Sequence, residues 1–215
     1  SKDYLQGIFD TILNKDIARR LNIADTVSLE NVTKFLLHSI GNKISPTKIA
    51  NTLKSAGKSV DQKTVDKYIK GLVDSMLIYE AGRYNIKGKQ FLSTQSKYYV
   101  VDVGMRNALV KSSESDIGHI LENIVYLELK RRYKNVYVGE IDSGEVDFVS
   151  VNDNKYEYYQ VSATTLDENT LKRELAPFGK IKDNYPKYLL TLDDVFSNAD
   201  YNGVQKINVL EWLLK

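Results

Sequence analysis

Apolar residues in the first half of the chain recur at helical spacing. From Ser28 to Gly41 the stripe is Val32, Phe35, Leu36 and Ile40, with Ser28 in the N-cap position and Gly41 at the stop. Ser45 and Pro46 open a second helix over 47–56, because Ser45 caps it and Pro46 takes the first turn, where its missing N–H costs nothing. Ile49, Ala50 and Leu53 form its inner face, and Gly57 ends it. Asp61 caps a third helix over 62–76, with Val65, Tyr68, Ile69, Leu72, Val73 and Met76 inward. Residues 77–79, 80–83 and 84–86 read as a strand, a Gly-containing turn and a strand. Upstream, Tyr4 to Leu21 also reads helical, as a lead-in from a preceding domain.

The second half alternates differently. Ile117 to Tyr133 predicts a long helix, apolar on more than one side and therefore packed on a sheet. Three short strands follow at 136–140, 145–151 and 156–161, joined by the turn signals Ile141-Asp142-Ser143-Gly144 and Asn152-Asp153-Asn154. A helix from Glu168 to Gly179, strands at 187–192 and 207–209 and a final cap through Trp212 complete the pattern. The crossover brings its strand in parallel to an inner one, making a mixed sheet. A strand at 98–102 and the polar stretch 110–116 precede this half. The expected organisation is a lead-in over 1–26, a helical module over 27–112 and an α/β module over 113–215.

Composition narrows the chemistry. The 215 residues include no cysteine and only His38 and His119, so disulfides, thiolate sites and a His-rich zinc site are excluded. Any metal would have oxygen ligands, which points to magnesium, manganese or calcium. No apolar run is long enough to span a membrane, and the start Ser1-Lys2-Asp3-Tyr4 reads as an excised piece of a cytoplasmic protein, not a signal peptide. The net charge of +2 conceals an asymmetry: residues 43–89 carry ten Lys and Arg against four Asp and Glu, while 113–215 carry twelve against eighteen. The basic part suits phosphates and the acidic part suits cations.

Three helices and a hairpin make the winged helix-turn-helix pattern, with 62–76 in the recognition position. Lys63, Lys67 and Lys70 on that helix, with Arg83 at the wing tip and Lys87 beyond it, are the candidate phosphate contacts. Packing against a neighbouring domain is the alternative role for the same fold. Gly82 and Gly88-Lys89-Gln90 do not make a phosphate loop: five residues separate the glycines instead of four, and Gln90 stands where Ser or Thr would hold magnesium. In the second half, Glu122 lies on the apolar stripe of Val125, Tyr126 and Leu129, where a carboxylate is costly to bury unless paired or holding a cation.

The order helix, three strands, helix, strand resembles the PD-(D/E)XK nuclease superfamily. That resemblance implies a site of a helix Glu, a second-strand Asp and an acid-x-Lys pair on the third strand, binding one or two magnesium ions. Glu122 matches the first position, and Asp147, in Gly144-Glu145-Val146-Asp147-Phe148, matches the second. At the third, Tyr159-Gln160-Val161-Ser162 has Gln160 for the acid and Ser162 for the lysine. Lys172 and Arg173 are the candidates for a relocated basic group. Glu122 and Asp147 also read as a buried polar pair satisfied by Arg173 or by backbone.

A wider resemblance covers nearly the whole chain. Asn14-Lys15-Asp16-Ile17, Ser45-Pro46-Thr47-Lys48-Ile49-Ala50, Tyr99 to Asn107, Gly118 to Asn123, Gly144 to Phe148, Tyr159 to Ser162 and Tyr185 to Asp193 occur in this order. They resemble the carboxy-terminal region of prokaryotic AAA+-type ATPases that end in a domain of unknown function with this nuclease-like core. Gln-Val-Ser is common at the third position in such families. The resemblance implies an ATPase module before Ser1 as a partner in the same full-length chain.

The expected fold is therefore α+β or α/β, a winged helix-turn-helix followed by a PD-(D/E)XK nuclease-like mixed-sheet domain. The leading expectation is a DNA-associated or regulatory region with vestigial Glu122, Asp147 and Gln160. The rivals are a magnesium- or manganese-dependent endonuclease held on Glu122 and Asp147, and a protein-binding scaffold, dimeric or otherwise homo-oligomeric.

Overall fold

A computed structural model of the chain describes residues 2–110, 116–142 and 144–215. Most of the expected boundary stretch 110–116, and Ser143 of the first meander turn, lie outside the described residues. The chain is mixed α/β, with helices α1 to α8 and strands β1 to β9 among the described residues. It divides into two compact units, 1–80 with 95–113 and 81–94 with 114–215. The division thus runs differently from 1–26, 27–112 and 113–215. The lead-in helix packs within the first unit, and the tip of the hairpin belongs to the second.

In the first unit, α1 (Lys2–Thr11) continues through a π-helical turn (Ile12–Ala18), burying Phe9, Leu13 and Ile17. Then come α2 (Thr26–His38), β1 (Lys43–Ile44), α3 (Pro46–Ser55) and α4 (Gln62–Asp74). The cap of α2 is Asp25, which accepts from the Ser28 N–H at 2.9 Å, so the helix starts before Ser28. Ser45 and Asp61 cap α3 and α4, accepting from the N–H groups of Lys48 and Thr64 at 3.2 and 3.0 Å. Inward residues Leu29, Val32, Leu36, Ile49, Val65 and Leu72 share one core. Gly71 on α4 permits a close approach: a Cβ there would lie 2.7 Å from Leu21 and 2.9 Å from Ile17. The strand β1 pairs antiparallel with β3 (Gln90–Val100), Ile44 facing Ser96. Asp102 caps α5 (Val103–Leu109), whose Arg106 is buried and donates through Nε to the Leu37 carbonyl at 2.9 Å.

The hairpin corrects the sequence reading. Strand β2 (Ile78–Asn85) runs unbroken through Gly82, and the turn comes later, at 86–89. The Asn85 side chain accepts from the Gly88 N–H at 2.7 Å, the local bond that makes Asn a turn residue.

In the second unit the strands lie in the order β3-β2-β4-β5-β6-β7-β9-β8. A meander of β4 (Val136–Ile141), β5 (Gly144–Asn152) and β6 (Lys155–Ser162) is antiparallel. Strand β7 (Lys187–Thr191) joins β6 in parallel, Gln160 beside Leu189. Strand β9 (Val204–Asn208) is parallel to β7, antiparallel β8 (Asp200–Tyr201) forms the edge, and β2 is parallel to β4. Between β6 and β7, α7 (Glu168–Leu175) stops before Pro177, which has no N–H to continue the ladder, and a 3-10 turn (Phe178–Lys180) follows.

Helix α6 (Ile117–Arg132) buries Leu121, Val125, Tyr126 and Leu129. Its end is tied to α8 (Val209–Leu213) through Arg132, which donates to the Trp212 carbonyl at 2.7 Å and lies 4.1 Å from the Trp212 ring centre. Glu128 accepts from Arg131 and Arg132 at 2.6 to 2.7 Å. The Arg131 hydrogen bond, opposed by burial and reinforced by Arg132, pulls the Glu128 pKa down from 4.5 to about 2. A folded value below the unfolded one means that ionised Glu128 stabilises the fold above pH 4.5, and this contribution is lost as pH falls towards 2. Urea unfolding across that interval should show a stability limb that is shallower in Glu128→Gln; identical limbs would refute the role.

Candidate functional site

The second-unit acids converge. Glu122 on α6 and Asp147 on β5 are each 8% exposed, and both line one cleft of about 450 Å³. Gln160 and Ser162 reach it from β6, Arg173 and Glu174 from α7, and His119 from the first turn of α6. Asp147 sits beside the paired residues Phe148 and Tyr159, which brings Gln160 of β6 next to it.

The polar groups at this cleft are largely committed to one another. The Gln160 amide oxygen accepts from the Asp147 N–H at 3.2 Å, and its nitrogen donates to Glu174 Oε2 at 2.8 Å. That pattern fixes the orientation of the amide. Asp147 Oδ2 accepts from the Val161 N–H at 2.8 Å, tying the carboxylate to the neighbouring strand. Arg173 donates through Nε and Nη2 to Glu174 Oε1 at 3.2 and 2.9 Å. Ser162 Oγ donates to the Thr164 carbonyl at 2.9 Å, which accounts for its proton.

Of the two basic candidates, only Arg173 enters the cleft, where it pairs with Glu174. Lys172 projects outward, 70% exposed at its side chain and 2.7 Å from Glu168. Helical geometry explains the difference, since consecutive residues lie about 100° apart around the axis. No lysine is among the described residues lining the cleft.

The nuclease resemblance implies magnesium or manganese on Glu122 and Asp147. Glu122 and Asp147 line the same cleft, and the departure from that ligand set lies at its third position. The third position is a neutral amide whose oxygen already serves the Asp147 backbone, and no group of three His, Asp or Glu among the described residues is placed to hold an ion. What the arrangement offers is a polar recess with buried carboxylates and one Arg–Glu pair, in which two guanidinium N–H groups share a single carboxylate oxygen.

Glu174, only 7% exposed, was missed in the sequence. The signal was present: Glu174 stands three residues after Leu171 on α7 and four before the buried Phe178 of the 3-10 turn, an apolar spacing like that around Glu122 on α6. Asp193 and Lys206 were missed as a pair too. Their side chains are 3% and 2% exposed and bond at 2.9 Å. The Asp193 carboxylate also accepts from the Thr165 N–H at 2.9 Å and the Thr165 hydroxyl at 3.0 Å. Burial would raise the Asp193 pKa, but hydrogen bonds from Thr164, Lys206 and Thr165 hold it below the usual carboxylate range. The pair pins the segment after β6, which carries Ala163 and Thr164 into the cleft, just before Asp167 caps α7.

The first unit holds the basic candidates. Lys63, Lys67 and Lys70 are exposed along one face of α4, and they line a recess of about 580 Å³ with Asp66, Glu80 and Tyr98. Burial, then the charges of Glu80 and Asp66, raise the Tyr98 pKa. Arg83 does not belong with them. It is 9% exposed, ion-paired with Glu140, and donates to the Thr94 carbonyl at 2.8 Å. Its place in mid-strand, not at a turn, explains that burial. Lys87 is exposed in the turn, 3.4 Å from Asp142.

Residues 1–116 match the model of a domain of unknown function, DUF8612. The chain belongs to that family. A curated relative, an uncharacterized protein of Haemophilus influenzae, is 39% identical over 98% of this chain and 52% of its own length. The uncharacterized protein MJ1544 of Methanocaldococcus jannaschii is 34% identical over 97% of this chain and 45% of its own. The chain therefore spans about half the length of the curated relatives it matches. Among solved structures, the crystal structure of protein VC1899 from Vibrio cholerae matches with a TM-score of 0.24 and 10% identity, over 88% of this chain and 47% of that one. Likeness at that level assigns no fold. No helix among the described residues is long and apolar enough to cross a membrane.

Removing the Lys206 ammonium should leave Asp193 a buried, under-compensated charge. Lys206→Met is expected to cost about 3–5 kcal/mol in urea unfolding, with part recovered when Asp193→Asn is added. A single variant as stable as the parent would show that the pair is not structural.

Proposed function

We propose that this chain is the nucleic-acid-binding portion of a longer protein, with a winged helix in its first unit and a non-cleaving PD-(D/E)XK-type domain in its second. The observation carrying this reading is the exposed lysine face of α4, Lys63, Lys67 and Lys70, opposite a face buried in the core. The element order α2, β1, α3, α4, β2, β3 supports the winged-helix assignment, with α4 in the recognition position. Lysines contact phosphates as point charges, so binding is salt-sensitive and weakly sequence-selective. Absence of cleavage is supported by the neutral, internally bonded Gln160, by Ser162 at the lysine position, and by the commitment of Arg173 to Glu174. The greater length of the relatives leaves room for a further module, and the family resemblance supplies an AAA+-type ATPase as that partner.

The chain should bind duplex DNA with an affinity that falls linearly in log–log terms as salt rises. Replacing Lys63, Lys67 and Lys70 with Ala should reduce that slope by about one unit for each phosphate left unneutralised. An unchanged slope would remove α4 from the interface, and undetectable binding at low salt would remove the reading.

A second reading, a magnesium- or manganese-dependent endonuclease, is favoured by Glu122 and Asp147 lining one cleft. Linear, nicked and junction DNA should stay intact with either metal. Metal-dependent cleavage that disappears in Asp147→Asn would replace the binding-only reading with this one.

A further inference from the structure

A cluster of rings shares no residue with either the α4 face or the acidic cleft. Phe91, at the start of β3, keeps its side chain on the surface at 67% exposure. It is nevertheless held in place. Its ring centre lies 5.5 Å from that of Tyr84 and 5.1 Å from that of Tyr137, both in edge or tilted contact. Tyr84 is itself buried, stacked on Tyr137 at 6.0 Å, with its hydroxyl 3.1 Å from that of Tyr156. A ring floor therefore supports an open ring at the rim. Ordering such a side chain in advance removes much of the entropy cost of binding on it.

Two cations accompany these rings. Lys87 and Lys89 occupy the turn just before Phe91, both exposed, with Lys89 Nζ 5.6 Å from the Tyr156 ring centre. The Lys87 ammonium is 3.4 Å from Asp142, with both side chains open to solvent, a contact that contributes little and exchanges readily. An aliphatic peptide segment would call for an apolar groove. An exposed π-face with ammonium groups beside it instead matches a nucleobase and its flanking phosphates.

We propose that Phe91, supported by Tyr84 and Tyr137 and flanked by Lys87 and Lys89, is a stacking platform for single-stranded nucleic acid. A base lies on the open face of Phe91 while the lysines meet adjacent phosphates. A duplex cannot use this platform without unstacking a base, so the platform favours single strands. It does not depend on the α4 reading, because the two surfaces share no residue.

The test uses the chain with a short oligothymidylate and with a single strand carrying 2-aminopurine, whose fluorescence falls on stacking. Wild type should bind and quench. Phe91→Ala should weaken single-strand binding about tenfold and abolish the quench, while Phe91→Trp keeps both. Lys87→Ala with Lys89→Ala should lower the salt slope and leave the quench at saturation. The α4 triple-lysine variant should lose duplex binding and retain quenching, which separates failure of one surface from failure of the other. The exposed ring makes Phe91→Ala a safe variant, and matching urea midpoints would verify its fold. The proposal is overturned if Phe91→Ala binds and quenches as wild type does. It is also overturned if the chain binds no single strand at low salt, or if Phe91→Ala converts a self-associated chain to monomer.

Discussion

The cost of carrying carboxyl groups out of water governs how the second unit is built. Glu122, Asp147, Glu174 and Asp193 are each less than a tenth exposed. A buried charge persists only with hydrogen-bond donors or opposite charge around it. The donors come from several elements: a β6 backbone N–H for Asp147, Gln160 and Arg173 for Glu174, and Lys206 with Thr165 for Asp193. Most of these bonds cross between elements distant in sequence. Compensating the acids therefore also sets how β5, β6, α7, β7 and β9 meet.

That arrangement leaves a cleft with acidic walls and little free cationic character. Gln160 is central, because one amide serves both the Asp147 backbone and Glu174. An acid in its place would present an acceptor to Glu174 and repel it. The neutral amide is thus built into the wall, and Glu174, which it shares with Arg173, lines the cleft beside it.

Much of the local structure was legible in the residues. Asp61, Ser45 and Pro46 marked helix starts because capping is a contact between near neighbours, and the meander turns were marked by Asp and Asn for the same reason. The hairpin was misplaced because Gly82 resembles a turn residue, whereas Asn85 with Gly88 makes the actual turn. Glu122 was readable as a candidate from its place on an apolar stripe, and Asp147 from its place in the pattern that the chain resembles. Glu174 obeyed the same rule and was passed over, since a short, charge-rich helix resembles a solvated surface.

What the sequence determined alone was therefore local: where the capped helices begin, the absence of thiol chemistry, and a basic segment followed by an acidic one. Tertiary structure decided which of those charges face water and which face each other. Lys172 and Arg173 are adjacent in the chain, yet only the second reaches the cleft. Arg83, basic and near a turn by sequence, is paired instead with Glu140, fifty-seven residues away. The reason is physical: capping and turn bonds join residues a few positions apart, while the partner of a buried charge is chosen by the folded chain bringing distant groups within hydrogen-bond reach.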